Sequence, residues 1–205
     1  MTNQTELRML AVTDLMPHPD NPRLQLREDV VDQLAAEIGR RGFGQEHALL
    51  VRPKDGGYQI ISGHHRHAAA QRAGVADLPC WVREMDERQA LMQLVLANTQ
   101  GELSPLEIGM HALRAGRGGV VGYAEKIGKT KGYISQIRSA AEVLESLGEF
   151  SQLNLSDLLT KAMHLYEISR APRDSWPRLV DAMLNGWSAA DTSARVGELS
   201  KFDIP

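Results

Sequence analysis

Every segment of this chain that reads as a β-strand lies before residue 84, and after residue 97 no strand pattern returns. Residues 7–12 (LRMLAV), 48–52 (ALLVR), 58–62 (YQIIS) and 79–83 (PCWVR) are short, apolar and bounded by Pro, Gly and Asp, as strands are. Helical patterns separate them. Residues 29–40 place Val30, Val31, Leu34, Ala35 and Ile38 on one stripe, and residues 64–73 follow a strand directly with Ala-rich spacing. Alternation of this kind builds a small α/β domain, a sheet with helices on it, and the strand-free remainder builds an all-α part. We expect an α/β domain over residues 1–100, a helix-turn-helix domain over 101–150 and a helical segment over 151–205.

Local signals place two helix starts. Ser104-Pro105-Leu106-Glu107 offers an N-cap hydroxyl, a proline at the first helical position and a carboxylate at N3, the parts of a capping box. Ser188-Ala189-Ala190-Asp191 predicts a last helix running towards Leu199, after a turn at Asn185-Gly186. Gly116 to Gly119 is the expected joint, and no internal repeat is present.

With 205 residues, 42% hydrophobic and 24% charged, the chain can bury a core. One cysteine, Cys80, excludes an internal disulfide framework and a Cys-based structural zinc site. It is expected in a buried strand and in a reducing compartment. No run of 18 apolar residues exists and the start (MTNQTELRML) lacks a signal-peptide pattern, so the expectation is a cytoplasmic protein without a membrane partner. Aromatic residues at 5% argue against a stacking platform for single strands.

The net charge of -3 hides a basic island. Residues 1–111 carry 11 Lys+Arg against 15 Asp+Glu, residues 112–140 carry 6 against 1, and residues 141–205 carry 6 against 10. Inside the island, Ala124 is small where two helices can cross, Gly128 can end the first helix in the left-handed conformation, and Thr130 can cap the next. Ile127, Ile134 and Ile137 then form one buried face. Lys131, Tyr133, Ser135, Gln136 and Arg138 are left for solvent or for the edges of bases in a major groove, with Lys126 and Lys129 at the phosphates and Thr130 also among the DNA-binding residues. The alternative is an ordinary helical hairpin in a bundle.

Ser62-Gly63-His64-His65-Arg66-His67 joins an apolar strand to a helix. Free N–H groups and the dipole of a helix start favour an anion, Gly63 permits close approach and Arg66 adds a fork of donors. The same positive field, from the helix start and Arg66, is expected to lower the pKa of His64. Two other readings stand beside this one. Three histidines could hold a metal, although adjacent His64 and His65 diverge on a helix and no His-x3-His pair completes a site. The segment could also be a plain strand-to-helix turn.

Taken together, four stretches between residues 7 and 150 resemble the ParB partition-protein family. Leu15-Met16-Pro17-His18-Pro19-Asp20-Asn21-Pro22-Arg23 resembles its first box, and Ile60 to Ala69 its Gly-Glu-Arg-Arg box. Leu96 to Glu107 resembles its third box, and the helix-turn-helix follows. The resemblance implies a ParB/sulfiredoxin-like α/β fold, binding of CTP with Mg²⁺, and a homodimeric clamp that the nucleotide closes on double-stranded DNA at an inverted repeat. It implies Gly63, His64, His65 and Arg66 at the triphosphate, Arg23 nearby, and Asn98 near phosphate or Mg²⁺. Residues 156–205 resemble the helical tails of phage or mobile-element relatives. The N-terminus lacks the short basic segment by which chromosomal relatives stimulate a ParA-type ATPase, which argues against that partner.

This chain departs from the family where a carboxylate is expected: His64 stands in place of Glu, and Ala97 in place of the Glu before Asn. His65 replaces the first Arg of the second box. The expectation is a protein that hydrolyses CTP slowly or not at all. Competing readings are a nucleotide-independent transcription regulator, and a kinase or nuclease on the same scaffold with a histidine as base. Sulfiredoxin chemistry is excluded at this motif, because its Gly-Cys-His-Arg thiolate is replaced by an imidazole.

Overall fold

The computed structural model describes residues 5–98, 103–115, 120–148 and 155–202. The chain divides into two compact units, residues 1–101 and 102–205. The first boundary therefore falls where the sequence patterns change.

The first unit contains β1 (Thr5–Ala11), a 3-10 turn at Val12–Asp14, β2 (Leu15–Pro17), α1 (Glu28–Arg41), β3 (Leu49–Lys54), β4 (Gly57–Ser62), α2 (His64–Arg72), β5 (Asp77–Arg83) and α3 (Glu87–Asn98). Four of the strands coincide with the four apolar runs in the sequence. The additional one, β2, is three residues long and contains a proline, so it carries no periodicity of its own; it forms by parallel pairing of Leu15–Pro17 with Tyr58–Ile60. The strand order is β1-β5-β3-β4-β2, with β1/β5 and β3/β4 antiparallel and β5/β3 parallel. Asp55 (φ +51) and Gly56 (φ +82) link β3 to β4, the two positive φ values of a two-residue hairpin turn that suits strand twist.

One face of the sheet buries Leu49, Val51, Ile60, Leu78 and Cys80 against Val31 and Ile38 of α1 and Ala69 and Ala70 of α2. Each fully buried Leu, Ile or Val is worth about 1.5–3 kcal/mol relative to exposure. Cys80 is part of this core as expected, and burial pushes its thiol up to about 11. On the other face α3 packs against β4, burying Ala90, Leu94 and Val95 completely, as is Ile61 of β4.

The second unit is helical throughout its described residues: α4 (Pro105–Arg114), α5 (Val120–Lys126), α6 (Lys131–Ser146), α7 (Leu155–Leu159), α8 (Ala162–Ser169), α9 (Trp176–Leu184) and α10 (Ala189–Phe202). The capping box forms at α4: Glu107 N–H donates to Ser104 Oγ at 3.2 Å and Ser104 N–H to Glu107 Oε2 at 2.8 Å. The same exchange between Ser188 and Asp191 opens α10, which runs on to Phe202, past Leu199. The glycines at 116–119 lie outside the described residues.

Helix α6 is the centre of this unit. Ile134, Ile137, Ala140, Ala141 and Leu144 are all fully buried, packed by α4 on one side and by α8, with its buried Leu165 and Ile168, on another. Residues beyond 150 thus share a core with those before it. The α4–α6 crossing depends on Gly109, where an added Cβ would lie 2.2 Å from the carbonyl oxygen of Ile137. Among the described residues, no helix is long and apolar enough to cross a membrane.

Candidate functional site

The turn from β4 into α2 is shaped by Gly63, whose φ of +106 lies in the left-handed region. A Cβ there would meet Leu49 Cγ at 2.8 Å, so glycine answers both the backbone and the space. No side chain caps the start of α2. The amides of its first turn therefore face an approach that only backbone and solvent or a ligand can complete.

The histidines after Gly63 reach back to the segment between β1 and α1. His64 is 7% exposed, and its Nε2 accepts the N–H of His18 at 3.4 Å. His65 Nε2 accepts the N–H of Arg27 at 3.0 Å. His67 Nε2 lies 3.4 Å from the carbonyl oxygen of Val12, to which it can donate. Three imidazoles thus clasp residues 12–27, the stretch that contains Pro19-Asp20-Asn21-Pro22-Arg23. An accepting Nε2 must carry its lone pair, so His64 and His65 hold these contacts in the neutral form.

The electrostatics agree with the geometry. Burial pushes His64 down to about 4, with further lowering from the nearby His18, His67 and His65. His65, His67 and His18 are each lowered, with burial as the leading cause. The sequence predicts a lowered His64 from the field of the helix start and of Arg66. The direction holds, but the cause is desolvation, because Arg66 is turned away: its guanidinium donates to the carbonyls of His47 and Ala48, the latter at 3.1 Å. There it lines a cavity of about 190 Å³ with Phe43, Gly44 and residues of α1.

The remaining predicted residues of this unit are placed as follows. Arg23 lies close enough to His65 for its charge to lower that imidazole. Asn98 closes α3 and donates its amide N–H to the Leu94 carbonyl at 2.8 Å. Among the described residues, no group of three or more His, Cys, Asp or Glu is arranged to hold a metal ion. Two residues had no role in the sequence reading. His18 is 3% exposed; its Nδ1 accepts the N–H of Asp20, and its Nε2 is buried with no hydrogen-bond partner among the described residues. Arg52, 2% exposed in β3, donates to Gln59 Oε1 and to Glu87 Oε2. A cation inside an apolar strand run is the signal that could have marked Arg52, since burying it requires partners.

In the second unit, α5 ends at Gly128, whose φ is +68, with Lys129 N–H donating to the Ala124 carbonyl at 2.9 Å. Thr130 Oγ1 accepts Tyr133 N–H at 3.1 Å and so caps α6. Ala124, Ile134 and Ile137 are buried as predicted, whereas Ile127 is only half-buried. Tyr123 takes up the packing: it is 1% exposed, its hydroxyl donates to the Ile108 carbonyl and lies 3.2 Å from His111 Nδ1, fixing α5 to α4. Lys126, Lys129, Thr130, Lys131 and Ser135 are exposed, and Tyr133 and Gln136 are half-buried. Lys129 Nζ stands 6.0 Å from the Tyr133 ring. Arg138 differs from expectation. Its side chain is only 16% exposed and pairs with Glu142 at 3.6 Å, because the i,i+4 position of Glu142 holds it along its own helix.

Residues 1–99 match the family model described as the ParB N-terminal domain. The first unit is thus similar to the ParB N-terminal domain. Among relatives of ParB type, the chromosome-partitioning protein Spo0J of Thermus thermophilus is 36% identical over 99 residues, which cover 48% of this chain and 36% of that protein. The probable chromosome-partitioning protein ParB of Xylella fastidiosa is 27% identical over 209 residues, covering 97% of this chain and 64% of its own. The chain thus spans between about a third and two thirds of the length of these ParB proteins. Among solved structures, the C-terminally truncated chromosome-partitioning protein ParB from Caulobacter crescentus complexed to the centromeric parS site matches with a TM-score of 0.53 and 26% identity. That match covers 93% of this chain and 99% of the Caulobacter chain, so the ParB-like arrangement of a small mixed sheet followed by helices extends through both units.

Proposed function

We propose that this chain is a sequence-specific DNA-binding protein of ParB type whose N-terminal unit binds CTP with Mg²⁺ and, as a homodimer, closes as a clamp on an inverted-repeat duplex. The observation that carries the DNA reading is the capped, basic start of α6: Lys129, Thr130, Lys131 and Ser135 are exposed at the turn, while Ile134 and Ile137 lock the rest of the helix into the core. This is the division of labour of a recognition helix, in which a buried face fixes the element and a polar N-terminal face enters the groove. Structural likeness to a ParB bound at parS supports it. Lys126, Lys129 and Lys131 hold phosphates, and Ser135 and Gln136 read bases.

The uncapped start of α2, with Gly63 before it, receives the triphosphate on backbone amides, and the ParB resemblance adds Arg23 and Asn98 to that site. Support comes from the ParB-type boxes and from a tight glycine turn after which no side chain caps the first amides of α2. Arg66 exchanges its carbonyl partners for phosphate when the nucleotide enters, which releases the loop at 42–48. His64 stays neutral and shapes the site without serving as a base. The chain acts as a nucleotide-gated switch in the cytoplasm, on the chromosome, a plasmid or a mobile element.

Calorimetric titration of the protein with CTP, ATP, GTP and UTP, with and without Mg²⁺, tests the nucleotide. Binding of CTP alone, lost in Arg66→Ala, is the expected result. Equal affinity for all four nucleotides, or none, refutes it. Selection from a random duplex library at moderate salt tests the DNA reading, which fails if no motif is enriched.

A further inference from the structure

Among the described residues strand β1 is an edge of the sheet: in the order β1-β5-β3-β4-β2 its one neighbour is β5. An edge seven residues long offers a row of backbone donors and acceptors to another strand, and the charges on it restrict which strand can pair there. Next to this edge lies an uncovered apolar strip. Leu7 pairs with Trp81, and Trp81 with Leu50, so these three side chains form a row on one face, flanked by Met9. Trp81 is 43% exposed and Met9 58% exposed, although α3 covers β4 on the same face. The opposite side of β1 carries Glu6 and Arg8, paired with each other at 2.6 Å and both open to solvent.

From this edge we propose that β1 is a self-association strand: two copies of the chain pair their β1 strands antiparallel about a two-fold axis through Leu7, joining two five-stranded sheets into one. The charge pattern selects both the occupant and the register. Residues opposite one another in an antiparallel pair share a face, so a two-fold pairing of identical strands must be centred on a residue. Centring on Glu6 sets Glu6 against Glu6, and centring on Arg8 sets Arg8 against Arg8, which like charges oppose. Centring on Leu7 places each Glu6 across from Arg8 of the second copy, and the four charges then alternate in sign around the axis. The same register aligns the apolar rows, running Leu50, Trp81 and Leu7 of one copy into Leu7, Trp81 and Leu50 of the other. This interface involves neither the α2 turn nor α6, so it can fail while the nucleotide-binding and DNA-binding readings above stand.

The test is sedimentation equilibrium of the full chain without nucleotide or DNA. The parent chain is expected to show a reversible monomer–dimer equilibrium. Glu6→Arg and Arg8→Glu each turn two attractive pairs into repulsive ones and should weaken association roughly tenfold or more. Because both side chains are exposed, each variant should keep the parent's circular dichroism melt. The decisive sample is the equimolar mixture of the two variants. Glu6→Arg leaves two cations at positions 6 and 8 and Arg8→Glu leaves two carboxylates, so every cross-strand pair between the two variants is attractive. Native mass spectrometry should then find a heterodimer in excess of either homodimer. The double variant E6R/R8E should recover the parent's association. A parent chain that stays monomeric at roughly 0.5 mM, single variants that associate as the parent does, or a mixture with no gain in heterodimer would each overturn the proposal.

Discussion

Acidification should unfasten the N-terminal unit through His64. In the folded chain His64 titrates near 4, whereas a solvated imidazole titrates near 6.5. The unfolded chain therefore binds a proton at His64 that the folded chain refuses, and stability falls with pH across the window from 6.5 down to about 4. Above 6.5 the contribution is intact, and below about 4 the loss is complete. At ~1.4 kcal/mol per pKa unit, the whole window is worth ~3 kcal/mol, a large share of a small domain's 5–15 kcal/mol. His64→Gln keeps an acceptor for the His18 N–H and cannot titrate, so its stability should be flatter with pH than the parent's by about that amount. The other lowered histidines, His18, His65 and His67, remain in both proteins and cancel in the difference, apart from their coupling to His64. Urea unfolding at intervals from pH 7.5 to 4, read from amide NMR signals of residues 5–98, separates this unit from the helical one. Parallel curves for the parent and His64→Gln, or a directly titrated His64 near 6.5, would refute the desolvation argument.

Gly109→Ala should destabilise the helical unit by at least ~1–3 kcal/mol, because its Cβ would press on the Ile137 backbone carbonyl, which cannot move aside; a thermal melt followed at Trp176 and Trp187 checks this. Ser104→Ala removes one half of the capping box and should cost about 1 kcal/mol in the same unit, with Ser104→Asp recovering most of it. Phosphate release with saturating CTP and cognate DNA should stay near background, since a buried, neutral His64 bound to the His18 amide is held away from an attacking water. A turnover of several per minute that vanished in His64→Ala would instead make His64 catalytic.

What the residues reveal unaided follows the distance over which each interaction acts. The caps of α4, α6 and α10 and the turn at Gly128 were legible because donor and acceptor lie within four or five positions, so the chemistry is written in adjacent letters. Strands β1, β3, β4 and β5 and helices α1 and α2 were legible from apolar period, which depends only on one face being buried. The glycine before α2 was legible as a close-approach position, although not that Leu49 fills the space beside it. The partners of the charged and polar groups were not. Arg66 turned to carbonyls 18 and 19 positions away, and His64, His65 and His67 to groups 46, 38 and 55 positions away. Arg138, by contrast, pairs with Glu142 one turn along its own helix, a local partner within reach of sequence reasoning. Strand β2 exists only through its pairing with β4, and residues beyond 150 share the core of α6 only because α8 packs there. Sequence alone thus determined most of the elements and their caps, since these are local or periodic properties. Tertiary structure decided where each imidazole and guanidinium is spent, because a buried polar group must take whichever partner the fold brings within reach, and chain order does not record that distance.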